Sequence, residues 1–298
     1  MEEIVISARD GYGLLLNVYD VESPKAVVQI AHGMEEHQGR YKEFVKMLNE
    51  NGFAVVSADM RGHGKMAKTL GFFKRKEGYK ALVDDHLKVT NFIKSRYQGL
   101  PTCLFAHSMG SIIARVVLQT HSKKYDKVIL SGYPNYRAAA KLGVKFADSL
   151  TAKHGAKYKS KLMTTLEFKF FNFFVWNSKT NVDWICYDKQ VVDEYLKDPL
   201  CGFGFTSSAF SDLFNLVVLM HDQSRFKKVK VNLPILFIRG ADDPSTGGKQ
   251  GAKYSVQTLE KAGFKNITKI DYEKMRHEVI NETHKEIVYD DILNFLNS

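Results

Sequence analysis

The residue best suited to chemistry in this sequence is Ser108, which stands between an apolar run and an amphipathic helical pattern. The segment reads Leu104-Phe-Ala-His-Ser-Met-Gly110, with a glycine two residues after the serine and Ala106 two residues before it. A serine hydroxyl is a poor nucleophile unless a tight turn exposes it beside a general base, with backbone N–H groups directed at the developing oxyanion. The segment predicts such a strand-to-helix elbow. His107 is not favoured as the base, because adjacent residues on a tight turn point apart.

Candidate partners for the serine follow it in the order acid and then histidine. An apolar run over Ile235–Arg239 ends in Gly240-Ala-Asp-Asp-Pro244, where either Asp242 or Asp243 is placed to orient an imidazole. His277 follows in a polar loop, ahead of a helix predicted to begin near residue 283. This order of acid and histidine after the serine is one of the known orders of Ser–His–Asp triads. The arrangement predicts acyl transfer, with His277 accepting the serine proton.

The elements that must position these residues alternate between short apolar runs and longer amphipathic runs. This pattern is typical of strands joined by crossover helices, so we predict an α/β protein with a mostly parallel sheet. Asp10-Gly11 between the first two strands predicts a hairpin, and therefore an antiparallel start. The eight predicted strands are Glu3–Ala8, Leu14–Tyr19, Ala26–Ala31, Ala54–Ala58, Thr102–Ala106, Lys127–Ser131, Ile235–Arg239 and Ile267–Tyr272.

About a hundred residues separate the sixth and seventh predicted strands, far more than a crossover needs. We therefore predict an inserted helical cap over residues 136–225, with the core formed by residues 1–135 and 226–298. Residues 136–180 hold nine lysines and arginines against two acidic residues, and Leu166–Trp176 holds five phenylalanines and a tryptophan. We expect these aromatic side chains to face inwards and the lysines to face solvent.

The composition of the chain bears on its class and location. With 298 residues, of which 44% are hydrophobic, the chain can bury a large core. Its apolar runs are shorter than the ~18 residues of a membrane helix, and acidic Glu2 and Glu3 stand where a signal peptide would be basic. The three cysteines match no redox or zinc spacing. The net charge of +10 is not accompanied by a nucleic-acid-binding module. We therefore expect a cytoplasmic protein that binds neither metal nor nucleic acid.

Together these motifs resemble the monoacylglycerol lipase and lysophospholipase branch of the α/β-hydrolases, also called serine aminopeptidase S33-like hydrolases. The resemblance covers nearly the whole chain and is weakest in the predicted cap. Besides the Ser108 elbow, it rests on His32-Gly-Met-Glu-Glu-His37 with Arg40-Tyr41, Asp59-Met-Arg-Gly-His-Gly64, Gly240-x-x-Asp243-Pro244, Arg276-His-Glu278 and Asn281-Glu282.

The resemblance implies a role for each residue of the triad. In this family the aspartate three residues after the glycine is the acid, which selects Asp243 over Asp242. The histidine of the Arg-His-Glu motif is the base, which selects His277, and Ser108 is the nucleophile.

Four further site residues follow from the same resemblance. The oxyanion donors of the family correspond here to the backbone N–H groups of Met34 and Met109. Glu36 and Arg40 match positions that resemble the family's helpers for the polar head of the substrate. An acid–arginine pair that only pins a loop would explain Glu36 and Arg40 equally well.

The resemblance also implies a fold and an activity. We expect the α/β-hydrolase fold and a serine hydrolase that cleaves carboxylic esters through an acyl-enzyme, without cofactor or metal. Monoacylglycerols or lysophospholipids are the expected substrates, and the basic cap is expected to approach anionic lipid. The alternatives are a short-chain or aryl carboxylesterase and an acyltransferase on the same scaffold. A non-catalytic binding protein is disfavoured because all three triad residues are present. The sequence predicts no oligomeric state.

Overall fold

The computed structural model covers residues 1–298 and describes all side chains except those of Glu167 and Phe168. The predicted inward orientation of Phe168 therefore lies outside the described residues. In the described chain the strands are β1 (Glu2–Ser7), β2 (Gly13–Tyr19), β3 (Ala26–Ala31), β4 (Phe53–Ala58), β5 (Thr102–His107), β6 (Lys127–Ser131), β7 (Ile235–Gly240) and β8 (Ile267–Tyr272). They form one sheet in the order β1-β2-β4-β3-β5-β6-β7-β8.

The direction of the strands follows the predicted pattern. β1 and β2 form an antiparallel hairpin, and β2 also runs antiparallel to β4. From β4 through β3 and β5 to β8, every neighbouring pair is parallel. The predicted class is confirmed, and each strand lies within one residue of its predicted bounds.

Helices cover both faces of this sheet. Their bounds are α1 (Lys42–Glu50), α2 (Gly78–Arg96), α3 (Met109–His121), α4 (Ala140–His154), α5 (Lys161–Asn172), α6 (Lys189–Lys197), α7 (Ser207–Leu219), α8 (Gly248–Lys261) and α9 (Lys285–Asn297). The last of these begins two residues later than expected.

Alternating side chains of β5 show how the layers are held together. Leu104 and Ala106 pack with α3, α7 and α8 on one face, whereas Cys103 and Phe105 pack with α1 and α9 on the other. Successive side chains of a strand point to opposite faces, so a strand buried on both faces reads as one continuous apolar run. The carboxyl ends of the parallel strands then meet at one edge, which is where ligands bind in open α/β sheets.

The long insertion between β6 and β7 contains α4, α5, α6 and α7. α7 packs against α4 of the insertion and also against α2 and α3 of the layer beneath it. α7 is therefore shared between the insertion and the sheet-bound helices, and the division at residues 136–225 stays a prediction. Within the described residues, no helix is both long enough and apolar enough to cross a bilayer.

Candidate active site

Ser108 lies on a sharp turn between β5 and α3. Its backbone has φ 48° and ψ −116°, a conformation that residues with a side chain adopt only under strain. The turn is held from both sides, because the Ser108 N–H donates to the Ser131 carbonyl at 3.0 Å and the Gly110 N–H donates to the His32 carbonyl at 3.1 Å. A Cβ atom on residue 110 would lie 2.3 Å from the Ala31 carbonyl oxygen, so only glycine fits there.

Asp243 and His277 form a buried pair at the ends of β7 and β8. His277 Nδ1 lies 2.9 Å from Asp243 Oδ2, and both side chains are at most 3% exposed. Burial alone would lower the pKa of His277, but the charge and hydrogen bond of Asp243 raise it above its ordinary value. Burial also opposes the charge of Asp243, yet His277 and Ser245 hold the pKa of this carboxyl below its ordinary value. The neighbouring Asp242 instead accepts a hydrogen bond from Tyr187 at the surface, at 3.0 Å.

Ser108 and His277 line the same cavity. Within the described residues no hydrogen bond joins the Ser108 hydroxyl to the imidazole, and such contacts often tighten only when substrate binds. The His277 ring packs 4.7 Å from the ring of His107 and 4.7 Å from that of Trp184. Burial and the proximity of His277 lower the pKa of His107 to about 4, so His107 stays neutral near pH 7.

Met34 and Met109 line the cavity on either side of Ser108. Among the described groups, neither backbone N–H donates a hydrogen bond to protein. Met34 follows Gly33, where a Cβ atom would lie 3.1 Å from Ser108 Cβ, so the glycine lets this loop approach the serine. Two uncommitted N–H groups near a serine can stabilise an oxyanion.

Glu36 and Arg40 form a buried network that joins two loops of the site. Arg40 donates to Glu36 at 2.9 Å and to both oxygens of Glu278 at 2.6 and 2.8 Å. Glu36 also accepts the Gly33 N–H and, at 2.8 Å, the hydroxyl of Tyr41. Burial would raise the pKa of Glu36, but Arg40 holds it below its ordinary value. These contacts favour the interpretation that the pair pins a loop. Through Glu36 and Arg40 they connect Gly33, which precedes Met34, with Glu278, which follows His277.

His37, Asp198 and Cys201 bring three metal-ligand types within 4.8 Å of one another. His37 Nδ1 accepts the Gly39 N–H at 3.1 Å, so the ring proton resides on Nε2, which lies 2.8 Å from Asp198 Oδ2. A metal-bound imidazole needs its second nitrogen protonated and donating. The cluster is therefore better explained as a hydrogen-bonded His–Asp pair than as a metal site.

The cavity above these residues has a volume of about 880 Å³ and a mostly apolar wall. Its lining includes Ile112 of α3 and side chains of the insertion, namely Phe146, Met163, Leu166, Phe170, Phe171, Phe173, Phe174, Phe210, Leu213, Phe214 and Val217. Phe173 and Phe174 are 83% and 60% exposed although they line the cavity, so its mouth lies beside them. Trp176 is 95% exposed, and the expectation that it faces inwards is wrong.

Comparison with known proteins identifies the family to which this chain belongs. The model of the family described as serine aminopeptidase, S33, matches residues 22–284. The chain belongs to the serine aminopeptidase S33 family. It is similar to the monoacylglycerol lipase of Mycolicibacterium smegmatis, with 23% identity over 97% of this chain and 95% of the relative. It is also similar to human monoglyceride lipase, with 28% identity over 89% of this chain and 78% of the relative.

Solved structures agree with this assignment. A highly thermostable carboxyl esterase from Bacillus coagulans, solved in complex with glycerol, superposes with a TM-score of 0.91 and 26% identity. The superposition covers 99% of this chain and 97% of the esterase. The S33 chain therefore has the predicted α/β-hydrolase fold, within the monoacylglycerol lipase branch, and is a carboxylic ester hydrolase of the serine-hydrolase type.

A strap of the S33 insertion, Asp183–Tyr187, is bonded to the loop that carries His277. Arg276 donates to the Asp183 carbonyl at 2.6 Å, and the Glu278 N–H donates to the Ile185 carbonyl at 2.8 Å. Glu282 accepts the N–H groups of Tyr187 and Arg276 at 3.1 and 2.8 Å. This strap and Trp184 were not predicted from the sequence, because a local pattern does not show which distant loop a residue will contact.

Proposed function

We propose that this hydrolase cleaves monoacylglycerols or lysophospholipids through an acyl-enzyme on Ser108. The observation that carries the proposal is that His277, buried and paired with Asp243, lines together with Ser108 an apolar cavity of about 880 Å³. The relatives named for monoacylglycerol hydrolysis support the same substrate class.

In the proposed mechanism, His277 Nε2 takes the proton of Ser108 as its Oγ attacks the ester carbonyl carbon. Asp243 holds the proton on Nδ1 and stabilises the imidazolium, while the N–H groups of Met34 and Met109 stabilise the oxyanion. The imidazolium then returns its proton to the departing alcohol. Water, deprotonated by the same histidine, releases the acid and regenerates Ser108.

The shape and chemistry of the cavity support an apolar acyl chain. Its volume lies within the ~300–1,000 Å³ typical of sites for small organic ligands, and the insertion supplies most of its apolar lining. Binding of a long chain would remove more apolar surface from water than binding of an acetyl group. A short-chain or aryl carboxylesterase is the second candidate, because a small acyl group also fits this cavity.

Arg137 and Lys169 line the cavity, within the basic part of the insertion. The Arg137 guanidinium lies 4.5 Å from the ring of Phe170, and the exposed Phe173 and Phe174 line the same cavity, so apolar and cationic groups occur together there. Such a surface suits an anionic lipid interface, where rings enter the headgroup region and cations meet phosphates. We accordingly treat residues 136–225 as a cap that presents lipid to the triad.

An ester panel tests this function. Monoacylglycerols, lysophospholipids and p-nitrophenyl esters of increasing chain length are assayed with wild type and Ser108→Ala, and a fluorophosphonate probe reports labelling of Ser108. We expect the variant to lose both turnover and labelling, with the highest kcat/KM on long-chain monoesters. Because the pKa of His277 is raised, activity should decline on the acid side at a higher pH than free imidazole would dictate.

Two further comparisons separate the alternatives. Asp243→Asn should impair turnover far more than Asp242→Asn, and the reverse order would reject the assigned acid. Product analysis with added alcohol or thiol distinguishes hydrolysis from acyl transfer. Transfer products that dominate in water would favour the acyltransferase.

A further inference from the structure

We infer that Ser245 is a positioning residue for the base, and that its hydroxyl shares the Nδ1 proton of His277 with Asp243. The inference rests on the proposed triad and extends it by a fourth side chain. Neither the sequence motifs nor the roles proposed above assign any part to this serine.

The contacts of Ser245 place it between the acid and the base. It lies in the turn after β7, is 3% exposed and lines the cavity. Its Oγ is 3.2 Å from His277 Nδ1, and its backbone N–H donates to Asp243 Oδ1 at 2.8 Å. One oxygen of the carboxylate is thus held by Ser245 and the other by the imidazole, which fixes the plane of the carboxylate.

The direction of the hydrogen bonds follows from the charges. Asp243 is ionised, so the proton on Nδ1 is held towards the carboxylate, and Ser245 Oγ receives it as a second acceptor. Ser245 is also one of the groups that hold the pKa of the Asp243 carboxyl below its ordinary value. If Ser245 instead donated to Nδ1, the ring proton would move to Nε2, and His277 could not accept the proton of Ser108. With Asp243 ionised, Ser245 acts as an acceptor, and together the two side chains keep the proton on Nδ1 and leave Nε2 free to accept the proton of Ser108.

Several other ionisable groups also face the imidazole. The charges of Glu278, in the loop of His277, and of Glu36, in the loop after β3, raise its pKa. The ring of His107, at the end of β5, packs 4.7 Å from it. None of them is described within hydrogen-bond distance of Nδ1, whereas Ser245 and Asp243 are. A change at Ser245 should therefore act on the Nδ1 proton directly, and a change at the other groups should act through charge.

The test compares Ser245→Val with Ser245→Thr, two variants of nearly the same shape that differ in the hydroxyl. Both are assayed on a soluble p-nitrophenyl ester over a range of pH, after fluorophosphonate labelling has shown that Ser108 is active in wild type. We expect Ser245→Val to lower kcat about tenfold with little change in KM, because the imidazolium loses a hydrogen-bond acceptor. The acid limb of its kcat profile should move to lower pH for the same reason. Ser245→Thr should keep both values near wild type.

The outcomes are distinct. If the valine variant matches the threonine variant in kcat and in the acid limb, the hydroxyl has no positioning role and the inference is overturned. A rise in KM alone would also overturn it, because Ser245 would then be only part of the cavity wall. Failure of wild type to label at Ser108 would reject the proposed function itself. Circular dichroism and thermal unfolding of both variants separate a loss of fold from a loss of chemistry.

Discussion

Two parts of the insertion carry aromatic residues but are held in different ways. The pinned segment, Asp183–Phe205, forms hydrogen bonds to the loops that carry Met34 and His277. The aromatic segment, Lys161–Trp176, exposes Phe173 and Trp176 to solvent, and Phe173 also lines the cavity. The insertion therefore combines a part that is hydrogen-bonded to the loops of the candidate site with a part whose aromatic rings are exposed to solvent.

The two tryptophans of the chain mark this difference. Trp184 packs 4.7 Å from the His277 ring and stacks 4.6 Å from Phe171, whereas Trp176 is 95% exposed. The same residue type therefore contacts the imidazole of His277 in one segment and solvent in the other. Each segment can be perturbed separately.

The largest expected effect concerns Glu35, which the pinned segment covers. The Glu35 carbonyl accepts hydrogen bonds from Tyr195 and Gly202, and both carboxylate oxygens lack a partner among the described residues. Burial raises the pKa of Glu35 to about 7, although nearby N–H groups of Gly204 and Phe205 and the charge of Lys159 oppose this. A raised pKa means that the folded state holds the proton more tightly than the unfolded chain.

The free energy of unfolding should therefore fall as pH rises from about 4.5 to about 7, and then level off. Glu35→Gln lacks this titrating carboxyl. Its free energy of unfolding should therefore exceed that of wild type by about 3 kcal/mol above pH 7. Urea unfolding at several pH values measures this, with the exposed Glu22→Gln as control. Parallel pH profiles for all three proteins would show that the pinned segment does not bury an unpaired acid.

An intermediate effect is expected for Trp184. Trp184→Ala removes the ring that packs on His277 and leaves the imidazole room to move, so kcat on a soluble ester should fall about tenfold. Trp184→Phe should retain most of the activity, because it keeps an aromatic face. Trp176→Ala is the matched control and should leave kcat unchanged. Equal losses of kcat in Trp184→Ala and Trp176→Ala would contradict a functional difference between the two segments.

The smallest effect is expected in the aromatic segment. Trp176→Ser should leave turnover of soluble esters unchanged and weaken binding to vesicles of anionic phospholipid several-fold. Vesicle sedimentation at increasing salt measures this binding, and cation–lipid attraction should weaken with salt. Lysophospholipid turnover should show the same dependence on salt, and neutral monoacylglycerol turnover should not. Unchanged vesicle binding of Trp176→Ser would contradict the proposed role of this surface.

Local patterns in the chain predicted the strands and the elbow correctly. The apolar runs marked every strand of the sheet, and the small residue at position 110 marked the turn of Ser108. Choosing between Asp242 and Asp243 needed the family resemblance, because the two aspartates are adjacent in one loop. The structure places Asp243 against His277 and Asp242 against Tyr187.

The orientation of the aromatic segment could not be predicted in the same way. Its phenylalanines have the composition of a buried element, yet whether a side chain is buried depends on which surface lies opposite it. Phe171 stacks on Trp184 and lines the cavity, whereas Trp176 is 95% exposed. The expectation that all these rings face inwards was based on composition, which does not show which surface each ring contacts.

The amino-acid sequence by itself determined the alternation of strands and helices, the serine on its turn and the order of acid and base, because these depend on periodicity and on a few neighbouring residues. Only the tertiary structure decided that Ser245 lies within hydrogen-bond distance of His277, that Trp184 packs on the imidazole and that Glu35 is held by Tyr195 and Gly202 of the insertion. These contacts join residues far apart in the chain or on opposite sides of a loop. They arise from how the packed layers meet, which no local pattern records.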